Sequence, residues 1–547
     1  MPWLLPTRTA PWSVFWAESL AAAIALAAAA RVFWRRSTRS GSVAIDAWTA
    51  GLFALAFVPL LQAQFGLMAV PSESWLICAY LAALPVTALV ARAAHEAAPW
   101  RMTDTLWWSL VVAAVLSTVI GVAQWLGTAE RFWFMSQSHI PGRVVANVGQ
   151  PNNLSTLLCW GMVGLWWTWR RGQIAAWLAV SLAAFLLLGV ALTGSRAAWP
   201  ALVLLAAVFV AARGSLGGRR TGVVLVALGA WYLAWVLGLA SLADWAGASA
   251  PRGLEEQASV GLRPLIWKVA LDAVIAHPWA GYGWNQFLAA WTEHAPGRLP
   301  WPRLVSYAHS LPLDLLVWNG VLLGSAILIA AVAWLSRQVR AAASAEQWLL
   351  LAGLGVVGSH AVLELPHAYS FFVLPAAVMV GTLSTLAPSR HVLLCPLPGL
   401  AVACIGMAAV LAAMVRDYGS IEAHHLSRRL YDARIGLATQ PPELAPTLVL
   451  RAVGDTERVL DAQPVAGMSA EGLRQWRRTL LRHPAASSLI RYAQASVLNG
   501  NSGEASWALD ALCSLHPRTT CEAAAEEWGR FAAKHAGAAQ VAAPRPR

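Results

Sequence analysis

Residues 105–126 read TLWWSLVVAAVLSTVIGVAQWL, a run of twenty-two residues without a charged side chain. An α-helix rises about 1.5 Å per residue, so a run of this length crosses the roughly 30 Å hydrocarbon core of a bilayer. Inside that core the backbone polar groups must be satisfied within the segment, which favours a helix. The run therefore predicts a membrane-spanning α-helix.

Similar runs recur along the whole chain. Of the 547 residues, 58% are apolar and only 12% are charged, which excludes a disordered chain and an ordinary soluble domain. The sequence thus predicts an all-α, multi-pass membrane protein with about twelve transmembrane helices. The predicted spans are 14–34, 42–61, 74–92, 105–126, 151–169, 174–193, 197–212, 222–241, 314–336, 346–363, 369–387 and 392–415.

Arginine placement predicts the orientation of these spans. Arginines cluster in the segments after alternate spans, from Arg39 after the first to Arg390 after the eleventh, and are scarce in the loops between. Because positively charged loops stay in the cytoplasm, the loop 242–308 and the chain after 415 are predicted to lie outside. The net charge of +12 is assigned to this signal, since no basic helix or aromatic platform indicates nucleic acid. The N-terminus would also lie outside, which favours a first helix missing from the start.

This arrangement predicts four parts of the chain. They are an N-terminal transmembrane bundle (1–241), a large periplasmic loop (242–308), C-terminal transmembrane helices (309–415) and a periplasmic helical tail (416–547).

Two of these parts lie outside the bilayer and have helical patterns of their own. In the loop, apolar side chains recur at helical spacing over 262–275, which predicts an amphipathic helix that ends at His277-Pro278. The tail is more charged, and residues 485–515 predict a helix–turn–helix of the tetratricopeptide type, with a capping box at Asn501 and Glu504. Cys513 and Cys521 could form a disulfide there if the tail is periplasmic.

Four polar clusters fall on the predicted outer side, where polar side chains near a membrane are candidates for function. The first is Gly149-Gln150-Pro151-Asn152-Asn153 at the start of the fifth span. A helix N-terminus explains the proline and one asparagine, but not all three amides, which could bind a sugar or a phosphate. The second is Thr193-Gly194-Ser195-Arg196. Its arginine either reaches to the lipid headgroups or binds a phosphate group, which a guanidinium contacts bidentately.

The third cluster extends from Arg263 and Lys268 to Gly281-Tyr282-Gly283-Trp284. Its plain interpretation is a solvated helix face, glycine turns and interfacial aromatics. The fourth is His309-Ser310, where the loop re-enters the membrane, with Glu364 and His367 predicted on the same side. Imidazole exchanges protons near neutral pH, so His309 is either a structural histidine or a general base. Glu364 and His367 orient that site or pair with each other.

In this order the clusters resemble the O-antigen ligase and Wzy-polymerase superfamily, and within it the bacterial protein O-oligosaccharyltransferases of the PglL type, which glycosylate pilins. The resemblance covers nearly the whole chain, including the helical tail. Two features depart from the family pattern. A transmembrane helix normally precedes the segment that matches Pro11-Trp12, and the family's histidine-containing stretch before it appears here as Pro6-Thr7-Arg8. Ser310 stands where the family often has asparagine.

The resemblance implies a metal-independent glycosyltransferase of C-type architecture in the bacterial inner membrane, with its active site and tail in the periplasm. The donor would be an undecaprenyl-diphosphate oligosaccharide, and the acceptor a Ser or Thr of pilin or another periplasmic protein. No cofactor and no nucleic acid are expected.

The candidate residues of this reaction come from the four clusters. Arg196 and Arg263 would stabilise the leaving diphosphate, and His309 would either activate the hydroxyl or bind the diphosphate as a cation. The candidate substrate-binding residues are Gln150, Asn152, Asn153, Lys268, Tyr282, Trp284, Glu364 and His367.

Other functions are weighed against this one. An O-antigen ligase acting on lipid A–core, or a Wzy-type polymerase, shares the donor and the fold, and the helical tail favours the protein acceptor. A transporter of the lipid-linked glycan would bind substrate without chemistry, and it predicts a continuous polar path or internal repeats that the sequence does not show. A structural scaffold would leave the outward polar clusters without a purpose.

Overall fold

The computed structural model describes residues 1–6, 9–36, 41–138, 140–248, 261–296, 304–387, 392–436 and 443–545. The predictions that involve Thr7, Arg8, Arg39 and Arg390 lie outside these residues. Almost all of the described secondary structure is α-helical, as predicted. The helices are α1 (Phe15–Arg36), α2 (Ala47–Ala56), α3 (Val58–Gln64), α4 (Ser74–Ala97), α5 (Arg101–Trp125), α6 (Pro151–Arg170), α7 (Ala176–Thr193), α8 (Ala198–Ala212), α9 (Gly218–Ala246), α10 (Arg263–Ala276), α11 (Phe287–His294), α12 (Leu311–Ala341), α13 (Ala345–Leu363), α14 (Ser370–Leu386), α15 (Leu397–Asp432), α16 (Arg451–Asp461), α17 (Ala470–Arg482), α18 (Ala486–Leu498), α19 (Ser502–Leu515) and α20 (Arg518–Ala532).

Helices occupy all twelve predicted spans. Nine helical segments of the described chain are long and apolar enough to cross a membrane, and α8 and α14 are shorter apolar helices. The remaining predicted span, 151–169, is occupied by α6, which is less apolar because its first two turns carry Asn152, Asn153 and Ser155. The chain is therefore a multi-pass membrane protein.

Two of the predicted spans begin differently from the prediction. Residues 42–46 and 392–396 were expected to be helical, but Ser42–Asp46 (β1) and Val392–Pro396 (β2) form an antiparallel two-stranded sheet. Short apolar runs do not distinguish a strand from a helix, and the partner of each strand lies far away in the sequence. The following helices, α2 and α15, start immediately after the strands.

The chain folds into two compact units. The first comprises residues 1–55, 80–260 and 330–411, and the second comprises residues 56–79, 261–329 and 412–547. The predicted boundaries near 241, 308 and 415 divide the chain by its expected membrane topology, and that division stays a prediction.

The core of the first unit is built around buried tryptophans. Trp107, Trp160 and Trp167 are fully buried among apolar residues of α5, α6, α7 and α13. A buried indole N–H needs an acceptor. The Trp160 indole donates to the carbonyl of Gly353 (2.8 Å), and that of Trp167 donates to Asp104 Oδ1 (2.7 Å). These bonds fix α6, which carries the first predicted cluster, against its neighbours.

In the second unit, α12 is a broken helix. Gly320 has φ 70° and ψ 178°, which is not helical. The loop 278–283 pairs with the backbone at the break. The Tyr282 N–H donates to the Val317 carbonyl (2.8 Å), and the Val321 N–H donates to the Pro278 carbonyl (2.7 Å). Because a break in an apolar helix exposes backbone groups that must find partners, this pairing explains why the break is tolerated.

Gln62 at the end of α3 holds the same loop. Its amide nitrogen donates to the Trp318 carbonyl and to Asn319 Oδ1, each at 3.1 Å. Its amide oxygen accepts from the Trp284 N–H at 2.8 Å. Gln62 is buried, so these bonds satisfy a polar group that would otherwise destabilise the fold.

Replacing Gly320 with alanine should destabilise the second unit. A Cβ at this position would lie 2.5 Å from the carbonyl carbon and oxygen of Trp279, and the positive φ strains any other residue. Strain of this kind costs about 1–3 kcal/mol before the overlap is counted. We expect a lower melting temperature of the detergent-solubilised chain. Gly238→Ala is the control, since nothing lies within 4 Å of its added Cβ; equal melting temperatures for the two variants would contradict the prediction.

The tail forms helical hairpins, as the sequence predicts. Helices α18 and α19 pack as an antiparallel pair over residues 486–515, and Cys513 forms a disulfide with Cys521. The predicted capping box is wrong. Asn501 precedes α19 without a side-chain capping bond, and Glu504 instead accepts hydrogen bonds from Arg477 and from the Tyr492 hydroxyl.

The tail should lose stability in acid through His516. Burial lowers the pKa of this imidazole below its usual value of 6.5, although its Nε2 donates to the Pro484 carbonyl at 2.7 Å. The unfolded chain then binds more protons than the folded chain below pH 6.5, so the free energy of unfolding falls as the pH drops through that value. Thermal unfolding of the full chain at pH 7.5 and pH 5.5 measures this, and His516→Gln should reduce the difference. An unchanged difference in His516→Gln would rule out this origin.

Candidate active site

Asn152, in the first turn of α6, lies at the centre of a polar cluster in the first unit. Gly149 has a positive φ (77°) and Gln150 is extended, so the chain turns sharply into a helix that begins at Pro151. The Asn152 amide nitrogen donates to Glu364 Oε1 (2.8 Å). Its amide oxygen accepts from the Ser195 hydroxyl (2.7 Å). The structure therefore joins three of the predicted segments, which lie far apart in the sequence.

Arg143 completes this cluster. Its Nε donates to the Thr193 carbonyl (2.8 Å) and its Nη2 donates to Asn152 Oδ1 (3.3 Å). This residue was not predicted from the sequence. The signal that could have found it is an arginine in a loop that is predicted to lie outside, where arginines are otherwise scarce. We name the set Arg143, Asn152, Ser195 and Glu364 the Asn152 cluster.

The polar side chains of the Asn152 cluster are largely buried, so each needs hydrogen-bond partners within the protein. Glu364 is 6% exposed and Ser195 is 2% exposed. A carboxylate in such a place is stabilised by the hydrogen bonds it accepts and by a nearby cation. Removal of the Glu364 carboxylate takes from the Asn152 amide nitrogen the acceptor that lies at 2.8 Å.

The remaining predicted residues of this unit lie close to members of the cluster in the sequence. Arg196 follows Ser195 directly and is partly buried. The amide oxygen of Gln150 is buried without a hydrogen-bond partner among the described residues, which is uncommon for a buried polar atom. Asn153 is buried, and no hydrogen bond links its side chain to the cluster. His367 is half-buried in a short 3-10 helix, where its carbonyl accepts from the Tyr80 hydroxyl (2.9 Å).

The second unit holds His309 in a fixed turn. His309 has φ 53°, a left-handed conformation that is uncommon for residues other than glycine. Both backbone groups of Ala308 are paired: its N–H donates to Asp314 Oδ1 (2.7 Å), and its carbonyl accepts from the Trp267 indole (3.1 Å). Asp314 is fully buried. A strained residue held by its neighbours is characteristic of functional positions.

Arg263 lies one helical turn before Trp267 in α10, as predicted. Residues four apart share a helix face, so Arg263 is on the side of α10 that contacts the His309 turn. Lys268 is exposed on a different side of this helix. Helix α10 ends at Ala276, directly before His277-Pro278.

Tyr282 and Trp284 are held by the loop that pairs with the broken helix. The Tyr282 hydroxyl donates to Glu293 Oε2 (3.0 Å) and lies 2.6 Å from His294 Nε2. Burial, and then the Glu293 carboxylate, raise the pKa of this phenol above its usual range, so it stays neutral. The Trp284 ring is buried, with its centroid 5.6 Å from that of Trp318.

Three families of known proteins match parts of this chain. The family described as O-antigen ligase matches residues 181–329. One described as protein glycosylation ligase matches residues 144–169, which contain the start of α6. One described as virulence factor membrane-bound polymerase, C-terminal, matches residues 348–529.

Two proteins of Acinetobacter baylyi are similar to the chain. One, a general O-oligosaccharyltransferase, is 27% identical over 95% of this chain and 91% of its own length. The other, a ComP-specific O-oligosaccharyltransferase, is 26% identical over 51% of this chain and 50% of its own length. Taken together, the matched families and these relatives make the chain similar to O-antigen ligases and, along nearly its whole length, to a protein O-oligosaccharyltransferase.

Proposed function

We propose that this chain is a protein O-oligosaccharyltransferase. It moves a preassembled oligosaccharide from undecaprenyl diphosphate to a Ser or Thr hydroxyl of a periplasmic protein such as pilin. The observation that carries this proposal is the similarity to a general O-oligosaccharyltransferase along 95% of the chain. The arginine distribution supports placement in the bacterial inner membrane, with the tail in the periplasm.

The reaction breaks the bond between the anomeric carbon and the diphosphate oxygen, and negative charge builds up on the departing diphosphate. We assign Arg196 and Arg263 to stabilise that charge, since guanidinium groups pair bidentately with phosphate oxygens. Gln150 supports the same group from the N-terminus of α6, where the helix dipole favours an anion. The diphosphate leaves while still attached to its lipid.

The acceptor hydroxyl is a weak nucleophile. We assign His309 as the general base that takes the hydroxyl proton while the oxygen bonds to the anomeric carbon. A base of this kind contributes about 10²–10⁴-fold to the rate. The paired backbone groups of Ala308, directly before this residue, support the role, because a base must be held within hydrogen-bonding reach of the proton.

The other predicted residues are proposed to bind substrate, directly or by positioning the site. Asn152 and Glu364 do the second, since they hold the start of α6 through the Asn152 cluster. Asn153, Lys268, Tyr282, Trp284 and His367 stay in the candidate substrate-binding set.

Removing the Glu364 carboxylate should slow transfer. Glu364→Ala leaves the Asn152 amide nitrogen without the acceptor that lies at 2.8 Å. Losing a hydrogen bond to a charged group costs about 1.5–3 kcal/mol, which corresponds to a rate loss of about 10–100-fold if it disturbs the site. Glu364→Gln keeps an acceptor oxygen and should retain more activity. Initial rates of pilin glycosylation measure both variants, and a wild-type rate for Glu364→Ala would exclude this role.

A reporter strain tests the proposed function. The strain supplies one defined undecaprenyl-linked glycan and expresses a candidate pilin with the full chain. Intact-mass analysis of pilin and of lipid A–core then identifies the acceptor. A glycan mass on pilin supports the proposal. A glycan on lipid A–core alone replaces it with an O-antigen ligase, and a glycan that only changes leaflet replaces it with a transporter.

A further inference from the structure

The first unit contains a polar cavity that none of the predicted clusters includes. Its volume is about 230 Å³, and it lies between the end of α5 and the following loop. Trp125, Glu130, Gln137 and Arg143 are among its lining residues. The volume is below the roughly 300–1,000 Å³ of typical ligand pockets, so it suits a single ring rather than an extended chain.

Two polar side chains that line this cavity form no hydrogen bond within the described part of the chain. Glu130 and Gln137 are exposed, and neither forms a hydrogen bond with a described residue. Gln124, also in the lining, is by contrast used to shape the wall: its amide oxygen accepts from the Val145 and Ala146 N–H groups, each at 2.9 Å. The wall is thus fixed, while a carboxylate and an amide remain available to a ligand.

The cavity adjoins the Asn152 cluster through Arg143. This side chain lines the cavity and donates both to the Thr193 carbonyl and to Asn152 Oδ1. Arg196 lies three residues beyond Thr193, and Gln150 lies two residues before Asn152. A ligand in this cavity would therefore lie next to the segments of the first unit that carry Arg196 and Gln150.

We propose that this cavity is a saccharide subsite for the donor, and that it binds the sugar ring nearest the diphosphate. The inference rests on the proposed function. A sugar presents hydroxyl groups that donate to a carboxylate and exchange hydrogen bonds with an amide, which Glu130 and Gln137 supply. Its apolar ring face suits an aromatic side chain, and Trp125 is in the lining. The subsite lets the enzyme recognise the glycan as well as its lipid carrier.

A comparison of two lipid probes tests the subsite. Full-length protein in nanodiscs is titrated with undecaprenyl diphosphate N-acetylglucosamine and with undecaprenyl diphosphate. We compare wild type with the double variant Glu130→Gln/Gln137→Ala. Arg131→Gln is the control, since Arg131 is exposed beside Glu130 in the 3-10 helix Ala129–Arg131 but does not line the cavity.

Wild type and the control should bind the sugar-bearing probe about tenfold more tightly than the bare probe, as expected from two added hydrogen bonds. The double variant should lose most of this preference, with unchanged affinity for the bare probe, which also shows that it is folded. Equal binding by wild type, or a preference kept by the double variant, overturns the subsite. Pilin glycosylation is measured in parallel. Transfer without a sugar preference overturns only the subsite, and a sugar preference without transfer overturns only the proposed function.

Discussion

His309→Ala should lower the rate of glycan transfer by about 10²–10⁴-fold, the contribution expected of a general base. The imidazole has no substitute in the adjacent sequence, since Tyr307, Ala308 and Ser310 offer no group that is basic near neutral pH. The donor should still bind, because its diphosphate is assigned to the arginines. We therefore expect the loss to appear in kcat, measured by initial rates of pilin modification at saturating donor.

A backbone effect must be separated from this chemical effect. His309 has φ 53°, which alanine tolerates poorly and glycine adopts freely. His309→Gly therefore removes the imidazole while keeping the turn that Trp267 and Asp314 hold. The base assignment predicts equal losses in the alanine and glycine variants. Recovery of activity in His309→Gly would show that the residue acts through the backbone alone. A weaker donor affinity in both variants would instead assign the imidazole to the diphosphate.

Arg263→Ala should lower transfer by about 10²–10³-fold, by analogy with the loss of one donor from a site that stabilises developing negative charge. A lysine at this position keeps the charge but loses the fork of donors that contacts two phosphate oxygens. Arg263→Lys should therefore fall between wild type and Arg263→Ala. The measurement is the initial rate of pilin modification, with the amount of each variant determined by immunoblot.

Ile275→Ala is a suitable control for Arg263→Ala. It changes another position of α10 whose side chain is 75% exposed. We expect it to transfer at close to the wild-type rate. If Arg263→Ala and Arg263→Lys also match wild type, the arginine is a solvated helix residue and the leaving-group assignment fails.

The membrane helices and the amphipathic helix could be predicted because each depends on local sequence. Uninterrupted apolar runs indicate spans, and the apolar spacing over 262–275 predicted a helix that the structure has at Arg263–Ala276. The Cys513–Cys521 disulfide could also be predicted from the sequence, since only these two cysteines lie in the tail.

Features that depend on distant partners could not be predicted. The centre of the strand Ser42–Asp46 is apolar like the helix that follows it, and only pairing with Val392–Pro396 distinguishes the strand. Gly320 is one of 41 glycines, and nothing in its neighbourhood of the sequence indicates a broken helix. The break becomes intelligible only when the loop 278–283 is seen to pair with it.

The same limit applies to the candidate site. The sequence selected Asn152 and Glu364 as separate polar residues, and the structure places them 2.8 Å apart. Arg143 and Gln62 could not be selected from the sequence, because each bonds to backbone groups that come close to it only on folding. Arg143 and Gln62 share one signal in the sequence, which is a polar side chain in or beside an apolar run.

Reconstituted transfer tests the central claim most directly. The purified full chain is placed in proteoliposomes with undecaprenyl-diphosphate oligosaccharide and purified pilin, and the intact mass of pilin is followed over time. The account predicts that pilin gains the mass of the whole glycan in one step on a Ser or Thr, and that His309→Ala and Arg263→Ala each slow the gain by about 10²-fold or more. Pilin that keeps its mass while the wild-type chain moves the donor glycan to another acceptor, or only across the bilayer, would contradict the account.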